Sequence, residues 1–306
     1  MVYPYLVAII TSLIFGLSFL FTKGALAYVT PQQLLAFRFL TAAFIMTLLR
    51  TLGLIKIDFR HRPLWKVVLL ALFEPVFYFI FETAGINLTT SSEAGLMIAL
   101  IPVFVTILAI LILKENPHPL QAGAILTSVA GVGFIVLGGG QLTLSGHTIG
   151  LLALLGAVLS AAFFNILSRW LSREFSPVEI TYVMMVTGAL IFGGSALFDT
   201  VRRPDPLAVL SLLQIKEVWS AVLYLGIFSS VVAFFGMNYY ISKLGAARSA
   251  VFANLSTIVS VAAGILFRGE PFYWYHLVGG TLILLGVWGT NRISTPRPRT
   301  ESSSSR

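Results

Sequence analysis

The chain has 306 residues, of which 57% are hydrophobic and only 10% are charged. A soluble globular domain is about 45–50% apolar and about 25% charged, so this composition, with a mean hydropathy of +0.92, argues against a soluble enzyme, a nucleic-acid binder and a disordered protein. The chain has no cysteine, which leaves no disulfide framework, thiol catalyst or thiolate metal site. The composition predicts a membrane protein.

Ten apolar stretches follow one another between polar breaks. Each is about 19 to 24 residues long, enough to cross ~30 Å of hydrocarbon as a helix, and none alternates with the period of two that membrane strands show. They run near residues 3–22, 33–52, 65–84, 92–113, 120–138, 148–168, 178–198, 218–241, 249–267 and 272–290. We predict an all-α integral membrane protein with ten transmembrane helices. The first is expected to be retained, because a signal peptide would begin with a positively charged region.

The positive charges predict an orientation. With the N-terminus inside, fourteen of the 20 Lys and Arg residues fall in inner loops or the tail, five fall in outer loops, and Arg38 lies within a span. Cytoplasmic loops carry such an excess. We therefore predict that both termini are cytoplasmic and that the protein lies in the plasma (inner) membrane. The net charge of +8 then needs no nucleic-acid partner. Residues 293–306, rich in Arg, Pro and Ser, are predicted to form a disordered cytoplasmic tail.

The two halves of the sequence resemble each other. Thr30-Pro31 aligns with Ser176-Pro177, and Gly131 aligns with Gly286. We predict a first five-helix repeat over residues 1–140 and a second over residues 147–292. Because five is an odd number, the copies must be inverted relative to each other in the membrane. Inverted repeats are typical of secondary transporters, whose substrate site lies at the repeat interface near the midplane.

Several short patterns carry a resemblance to a known family. They are Phe15-Gly16, Thr30-Pro31 followed by Arg38-Phe39, Ile101-Pro102-Val103-Phe104 ending in Lys114-Glu115, and Gly269-Glu270. In these the chain resembles the EamA-type drug/metabolite transporter superfamily over nearly its whole length. The resemblance implies transport of small metabolites, often amino acids and often outward, and a recurrent arginine at position 38. It also implies that the last helix of each copy lies outside the substrate core and supports a homodimer.

Two departures from the family pattern limit what the resemblance transfers. The family often has Trp where this chain has Phe15, and Ser256-Thr257-Ile258 stands where the first copy has Ile101-Pro102-Val103. Substrate residues of relatives therefore cannot be copied onto this chain.

Glu74 has the deepest carboxyl group in the sequence. It lies about nine residues, or ~13 Å, into the third span, and an intramembrane ionisable residue usually faces a cavity or a partner. Pro75 follows and should kink the helix. Tyr78 and Glu82 follow at i+4 and i+8 on one face, which Phe81 flanks. We predict a solute site whose carboxylate binds a cation or a proton; the alternative is a structural Glu at a proline kink.

Other buried polar groups are expected near the outer face. Arg38 lies about five residues into the second span, and Glu82 and Glu93 fall near the same face. A structural ion pair or a snorkelling side chain is favoured here over an outer gate whose pairs break on opening. Glu115 and Glu270 each end a span, where a carboxylate opposes the helix dipole, so each is expected to have a cationic partner.

The second copy offers amides and aromatic rings. Asn165, Asn238 and Asn254 could bind a solute or join neighbouring helices, and both interpretations stay open. Tyr182 and Tyr239 could surround a cation. Tyr240 suits an interfacial aromatic belt better.

Small residues predict close helix packing. Gly123, Thr127 and Gly131 form one stripe, and Gly279 with Gly286 forms another. Stripes of this kind let two membrane helices approach each other closely.

The motifs that would indicate other functions are missing from the sequence. It contains neither GxxxxGK[ST] nor HExxH, and its four histidines (His61, His118, His147, His276) lie in loops or at span ends. We therefore expect no cofactor, no metal and no enzyme activity. The leading hypothesis is a secondary transporter that moves an amino acid or another amine-bearing solute by alternating access, with a proton as a possible coupling ion. The alternatives are a choline- or quaternary-amine-type importer and a lipid scramblase.

Overall fold

The structure is a computed structural model, and it describes residues 2–59, 62–113, 119–138, 146–201, 208–245, 249 and 252–293. These residues form helices and no strand. Glu115 and the tail from residue 294 onward lie outside the described residues. The main helices, labelled in chain order, are α1 (Tyr3–Ala25), α2 (Pro31–Thr51), α3 (Leu64–Leu88), α4 (Ser91–Ile98, continuing as Ile101–Leu113), α5 (Pro119–Gly138), α6 (Gly146–Leu171), α7 (Pro177–Asp199), α8 (Lys216–Leu244), α9 (Ala253–Arg268) and α10 (Trp274–Ile293).

Seven of these helices, α1 to α4 and α6 to α8, contain stretches long and apolar enough to cross a membrane. The helices α5, α9 and α10 hold shorter apolar stretches, Ala122–Ile135, Ala253–Arg268 and Trp274–Gly289. The expected span length is exceeded by α3, α6 and α8, which have 25, 26 and 29 residues, and α9 is shorter than expected with 16 residues. At α8 the helix starts before the apolar run, with Lys216 and Glu217 in its first turn. The architecture is that of a multi-pass membrane protein.

Three helix starts share one local device, the capping box. Thr30 with Gln33, Thr90 with Glu93, and Ser176 with Glu179 exchange side-chain and backbone hydrogen bonds at the starts of α2, α4 and α7. Such boxes satisfy backbone N–H groups that the helix leaves unpaired. Proline follows the cap in α2 and α7, where its missing N–H costs nothing. This explains why the sequence shows Thr-Pro and Ser-Pro at these two positions.

Three helices contain π-helical segments. They are Leu72–Phe77 in α3, Ala189–Gly193 in α7 and Tyr224–Ala233 in α8. Within α3 the backbone of Glu74 is not helical, with φ −145° and ψ 115°. The predicted kink at Pro75 is therefore present as a break at the residue before it, since proline disfavours the helical conformation of its predecessor.

The helices α1, α4 and α9 pack closely through small residues. A Cβ on Gly16 would lie 2.5 Å from the Cβ of Val259, so α1 and α9 touch at this glycine. The Ser256 hydroxyl donates to the Ser12 carbonyl at 3.0 Å, and the Thr257 hydroxyl donates to the Gly95 carbonyl at 2.7 Å. Lipid tails are as apolar as the helix surfaces, so burial of apolar surface does not by itself favour association of membrane helices. Close packing and interhelical hydrogen bonds drive their association instead.

The helices α5 and α10 pack tightly against each other. A Cβ on Gly131 would lie 2.5 Å from the Gly279 carbonyl oxygen, and a Cβ on Gly286 would meet Ser128. The prediction is wrong for Gly123, because a Cβ there meets nothing within 4 Å. Gly131 and Ser128 of α5 face α10, so the contact follows a different line of residues along α5 from the predicted stripe. A spacing of four residues fits either line, and the sequence does not choose between them.

Candidate functional site

A buried cavity lies where helices from both predicted copies meet. Its volume is about 70 Å³. Its described lining comes from α1 to α4 on one side and from α6, α8, the segment before α9, and α9 itself on the other. Ionisable groups are concentrated in its wall, where Arg38, Glu74, Tyr78 and Glu82 all face the cavity.

The break in α3 carries the deepest carboxyl group into this cavity. Glu74 is only 5% exposed, and its extended backbone lies between the helical turns on either side. Irregular backbone at membrane depth is tolerated where it lines a cavity or is buried in protein. Glu74, Tyr78 and Glu82 all line the cavity, as predicted. Because the helix is broken at Glu74, regular i+4 spacing aligns only Tyr78 with Glu82.

Arg38 is held in the cavity wall by serines and an aromatic ring. Its Nε donates to the Ser230 hydroxyl at 2.8 Å, and a terminal nitrogen donates to the Ser229 hydroxyl at 2.9 Å. The guanidinium lies over the Phe79 ring, with its central carbon 4.0 Å from the ring centroid, a favourable cation–π geometry. The predicted ion pair of Arg38 with Glu82 or Glu93 is not formed. Arg38 instead donates its hydrogen bonds to the two serines of the π-helical segment of α8.

Two further predicted residues line the same cavity. Glu82 is 2% exposed and accepts a hydrogen bond from the Thr83 hydroxyl at 3.2 Å. Asn165 on α6 donates its amide to the Ala161 carbonyl at 2.8 Å. The cavity wall thus combines one guanidinium, two carboxyl groups and an amide. This arrangement can bind a small solute that has a positive group and polar atoms.

The other predicted solute residues lie away from this cavity. Phe81 is 38% exposed and packs against Gly156. Asn238 joins three helices instead, since its amide donates to the Thr181 hydroxyl and its oxygen accepts from Ser168, both at 3.0 Å. Tyr239 contacts Tyr3, edge to face, at 5.9 Å between ring centroids.

Tyr182 and Asn254 are also placed elsewhere. The Tyr182 ring lies beside Arg50, whose central guanidinium carbon is 5.5 Å from the ring centroid. Asn254 stands at the start of α9, and its side-chain oxygen is buried without a hydrogen-bond partner among the described residues.

Sequence reasoning missed several cavity residues. Tyr240, assigned to an interfacial belt, is 6% exposed and lines the cavity, so that assignment is wrong. Tyr240 lies after the π-helical segment of α8, and Phe252 directly precedes α9, so apolar periodicity does not reveal that they line the cavity. Eight other missed residues are aromatic or carry a hydroxyl: Ser12, Phe15, Ser18, Phe19, Phe79, Ser249, Phe252 and Ser256. The rest of the missed lining is apolar: Ile98, Ile101, Ala161, Met237 and Ala253.

Glu270 has serine partners rather than the expected cationic partner. Its two carboxylate oxygens accept from the backbone N–H groups of Ser91 and Ser92 at 3.0 and 2.9 Å, and from both serine hydroxyls at 2.6 Å. Partial burial would raise the pKa of Glu270, but these hydrogen bonds outweigh it and hold the pKa below its ordinary value. A carboxylate that accepts the first N–H groups of α4 is stabilised there by the helix dipole as well.

Glu93 also has partners that the sequence did not indicate. Its Oε1 lies 2.9 Å from Nε2 of His147 and 3.2 Å from Nε2 of His276. His276 is 2% exposed, although it lies at the end of a span. Both histidines stand in the first turn of a helix, a position that only tertiary packing can bury.

Two ion pairs join the opposite end of the bundle. Arg62 and Glu179 are 2.8 Å apart, and Lys66 and Glu174 are 2.7 Å apart. They connect the start of α3 to the start of α7. Within the described part of the chain, no group of three or more His, Cys, Asp or Glu residues is arranged to hold a metal ion.

Comparisons with known proteins give the chain a family context. The profile of the EamA-like transporter family matches residues 2–137 and 148–292. "Uncharacterized transporter YcxC" of Bacillus subtilis (strain 168) is 37% identical over 290 residues, which cover 94% of this chain and 92% of that protein. "Probable terminal-alkyne amino-acid exporter" of Streptantibioticus cattleyicolor is 25% identical over 71% of this chain and 69% of that protein. A solved crystal structure superposes with a TM-score of 0.65 at 21% identity, covering 98% of this chain and 99% of that one, which shows a shared fold.

Proposed function

Because this chain belongs to the EamA-like transporter family, we propose that it is a secondary active transporter that carries a small, amine-bearing metabolite out of the cell across the plasma membrane. The observation that carries this proposal is the buried cavity in which Glu74, Glu82 and Arg38 converge. The name of the Streptantibioticus cattleyicolor relative, an amino-acid exporter, supports an amino acid as the solute.

The proposed topology has ten membrane-spanning helices in two inverted five-helix copies, residues 1–140 and 147–292. Both termini are cytoplasmic. The two stretches matched by the family profile and the excess of Lys and Arg on one side support this arrangement. The outward-facing apolar surface of α5 and α10 is the proposed homodimer face, which the oligomeric state in lipid nanodiscs tests.

Charge balance in the cavity suggests how solute binding is coupled. Arg38 forms no direct ion pair here, but it interacts electrostatically with both Glu82 and Glu74. Its single positive charge can balance only one of these two carboxylates, so the second is left without a countercharge. An uncompensated charge is costly in a low-dielectric interior. The second carboxyl group therefore holds either a proton or the ammonium of the solute. Alternation between the two couples export of the solute to entry of a proton, and Glu74, the deeper group, is the exchange site.

Alternating access requires contacts at both ends of the bundle to break in turn. At one end, Arg62–Glu179 and Lys66–Glu174 join α3 to α7. At the other end, the Lys23 ammonium donates to the Ile86 carbonyl at 2.8 Å, joining α1 to α3. We assign the first set to the inner gate and the second to the outer gate.

The test begins with a thermal-shift screen of the purified protein against amino acids, amines and nucleosides, because a ligand that binds the folded form raises its apparent stability. Hits are then used in proteoliposome counterflow. Saturable counterflow of an amine-bearing solute supports the proposal. Lipid scrambling without counterflow of any soluble solute contradicts it and favours a scramblase.

A second candidate, an importer of choline or another quaternary amine, is favoured by the aromatic part of the lining. Quaternary ammonium groups bind on the faces of aromatic rings. The rings around the cavity belong to Phe15, Phe19, Tyr78, Phe79, Tyr240 and Phe252. Binding of a quaternary ammonium at a site that rejects amino acids, with inward accumulation, would identify this function instead.

A further inference from the structure

Glu93 joins three helices through one carboxylate. Its Oε2 stays within its own capping box, accepting from the Thr90 N–H and from the Thr90 hydroxyl, both at 3.1 Å. Its Oε1 reaches His147 in the first turn of α6 and His276 in the first turn of α10. We call Glu93, His147 and His276 the carboxylate–imidazole cluster. It lies at the end of the bundle where α1 ends and α4 begins, the outer end in the proposed topology.

The two imidazoles differ in what their second nitrogen does. Nδ1 of His276 accepts the backbone N–H of Tyr273 at 3.3 Å, so that nitrogen carries no proton, and the proton of the neutral ring sits on Nε2 and points to Glu93. A second proton would oppose the Tyr273 N–H. His147 has no such bond among the described residues, and its side chain is 35% exposed. His147 is therefore the ring that can take a second proton from water.

The surroundings of the cluster are polar and of mixed charge. From α1, Lys23 interacts electrostatically with Glu93 and Glu270, and Arg268 at the end of α9 lies near Lys23. From the start of α10, the Tyr275 phenol interacts with Glu93, and Tyr273 lines the same cleft. Tyrosines stay neutral and Lys and Arg stay charged between pH 5 and 8, whereas histidine changes charge in that range.

We propose that His147 is a pH-sensitive latch that holds the outer end of the bundle closed when the surrounding water is acidic. Neutral His147 donates a hydrogen bond to the Glu93 carboxylate. Protonation turns this contact into an ion pair, because the imidazolium then carries a positive charge opposite the carboxylate. The added strength ties the first turn of α6 to the first turn of α4, two helices that both line the transport cavity.

The expected size of the effect follows from this change in bond type. A partly exposed ion pair contributes up to about 1 kcal/mol, which corresponds to about a fivefold shift in the ratio of closed to open forms. The latch is separate from the cavity, because Glu93 and His147 belong to a different cleft. It rests on the proposed topology only in calling this end the outer one.

The chain has no cysteine, so spin labels can be placed by two substitutions, I149C on α6 and L277C on α10, both on exposed side chains. Label-to-label distances are measured in nanodiscs without solute, from about pH 8 to about pH 5. We expect acid to increase the ratio of the shorter-distance to the longer-distance population about fivefold. In H147Q, whose amide still donates to Glu93 but takes no proton, the ratio should stay at its alkaline value.

Two controls make the result decisive. In E74Q the acid response should persist, because that change removes the cavity carboxylate and leaves the latch intact. The chain has four histidines, so their rings can be followed by NMR in histidine-labelled protein. On acidification the His147 ring should gain a proton, while His276 keeps its proton on Nε2. The latch is overturned by a pH-independent distance, by an H147Q variant that responds like the wild type, or by loss of the response in E74Q. None of these outcomes depends on finding the solute.

Discussion

Replacement of Glu270 by glutamine tests the contact between the α9–α10 connection and the start of α4. The carboxylate accepts four hydrogen bonds from Ser91 and Ser92. Glutamine has the same shape but offers one acceptor oxygen and one NH₂ donor. The serine that faces the NH₂ group then places its backbone N–H donor opposite another donor, so that hydrogen bond is lost. The substitution also removes the negative charge at the N-terminus of α4.

The cost can be worked out from these bonds. Hydrogen bonds to charged groups contribute about 1.5–3 kcal/mol each, but four bonds to one carboxylate are not additive, and two survive in part. We expect a loss of about 2–4 kcal/mol. At about 2 °C per kcal/mol for a chain of this size, Tm should fall by about 4–8 °C.

The loss should depend on pH in a defined direction. The pKa of Glu270 is lowered in the folded protein, so its stabilisation is fully present above the ordinary glutamate pKa of about 4.3 and disappears as the pH falls through the folded-state pKa. The Tm difference between wild type and Glu270→Gln should therefore be largest at neutral pH and close on acidification.

Thermal unfolding in detergent across pH measures this difference. Glu217→Gln is the matched control, since Glu217 is exposed in the first turn of α8 and its removal should cost at most about 1 kcal/mol. An equal Tm for wild type and Glu270→Gln at neutral pH, or a gap that stays constant into acid, would refute the reasoning.

Two further predictions concern packing and placement. Gly131→Ala should destabilise the protein by about 1–3 kcal/mol, because the new methyl group meets the Gly279 backbone, whereas Gly123→Ala on the same helix should be neutral or stabilising. Equal Tm values for these two variants would contradict the observed α5–α10 contact. Asn238→Ala should lower stability by about 0.6–2 kcal/mol and leave the apparent KM for solute unchanged, since Asn238 bonds to Ser168 and Thr181; a raised KM would place it in the solute site.

The family and the helical, multi-pass architecture could be predicted from the sequence because they depend on features that accumulate over many residues. Apolar run length follows directly from bilayer thickness, and the family patterns are spread over both halves of the chain. The family assignment is confirmed by the profile match. The two carboxyl groups of the cavity could also be predicted from the sequence, because an ionisable group in an apolar run usually faces a cavity or a partner.

The partners of polar groups could not be predicted, because they depend on how helices rotate and cross. The position of Arg38 along its span predicted carboxylate partners for it. In the structure it donates instead to two serines in a π-helical segment. Tyr240 and Phe252 face the cavity because the helix path is irregular near them. Glu93 and Glu270 find their histidine and serine partners 54 to 183 residues away in the sequence, where no local spacing rule applies.

The central claim is that a carboxyl group in the buried cavity exchanges a proton for an amine-bearing solute, and solute counterflow measured across pH in proteoliposomes tests it most directly. Wild type, Glu74→Gln and the exposed-site control Glu217→Gln are compared at matched protein density. We predict that Glu74→Gln loses transport of a cationic solute, or loses its pH dependence, while the control behaves as wild type. Transport by Glu74→Gln equal to wild type at every pH would contradict the account.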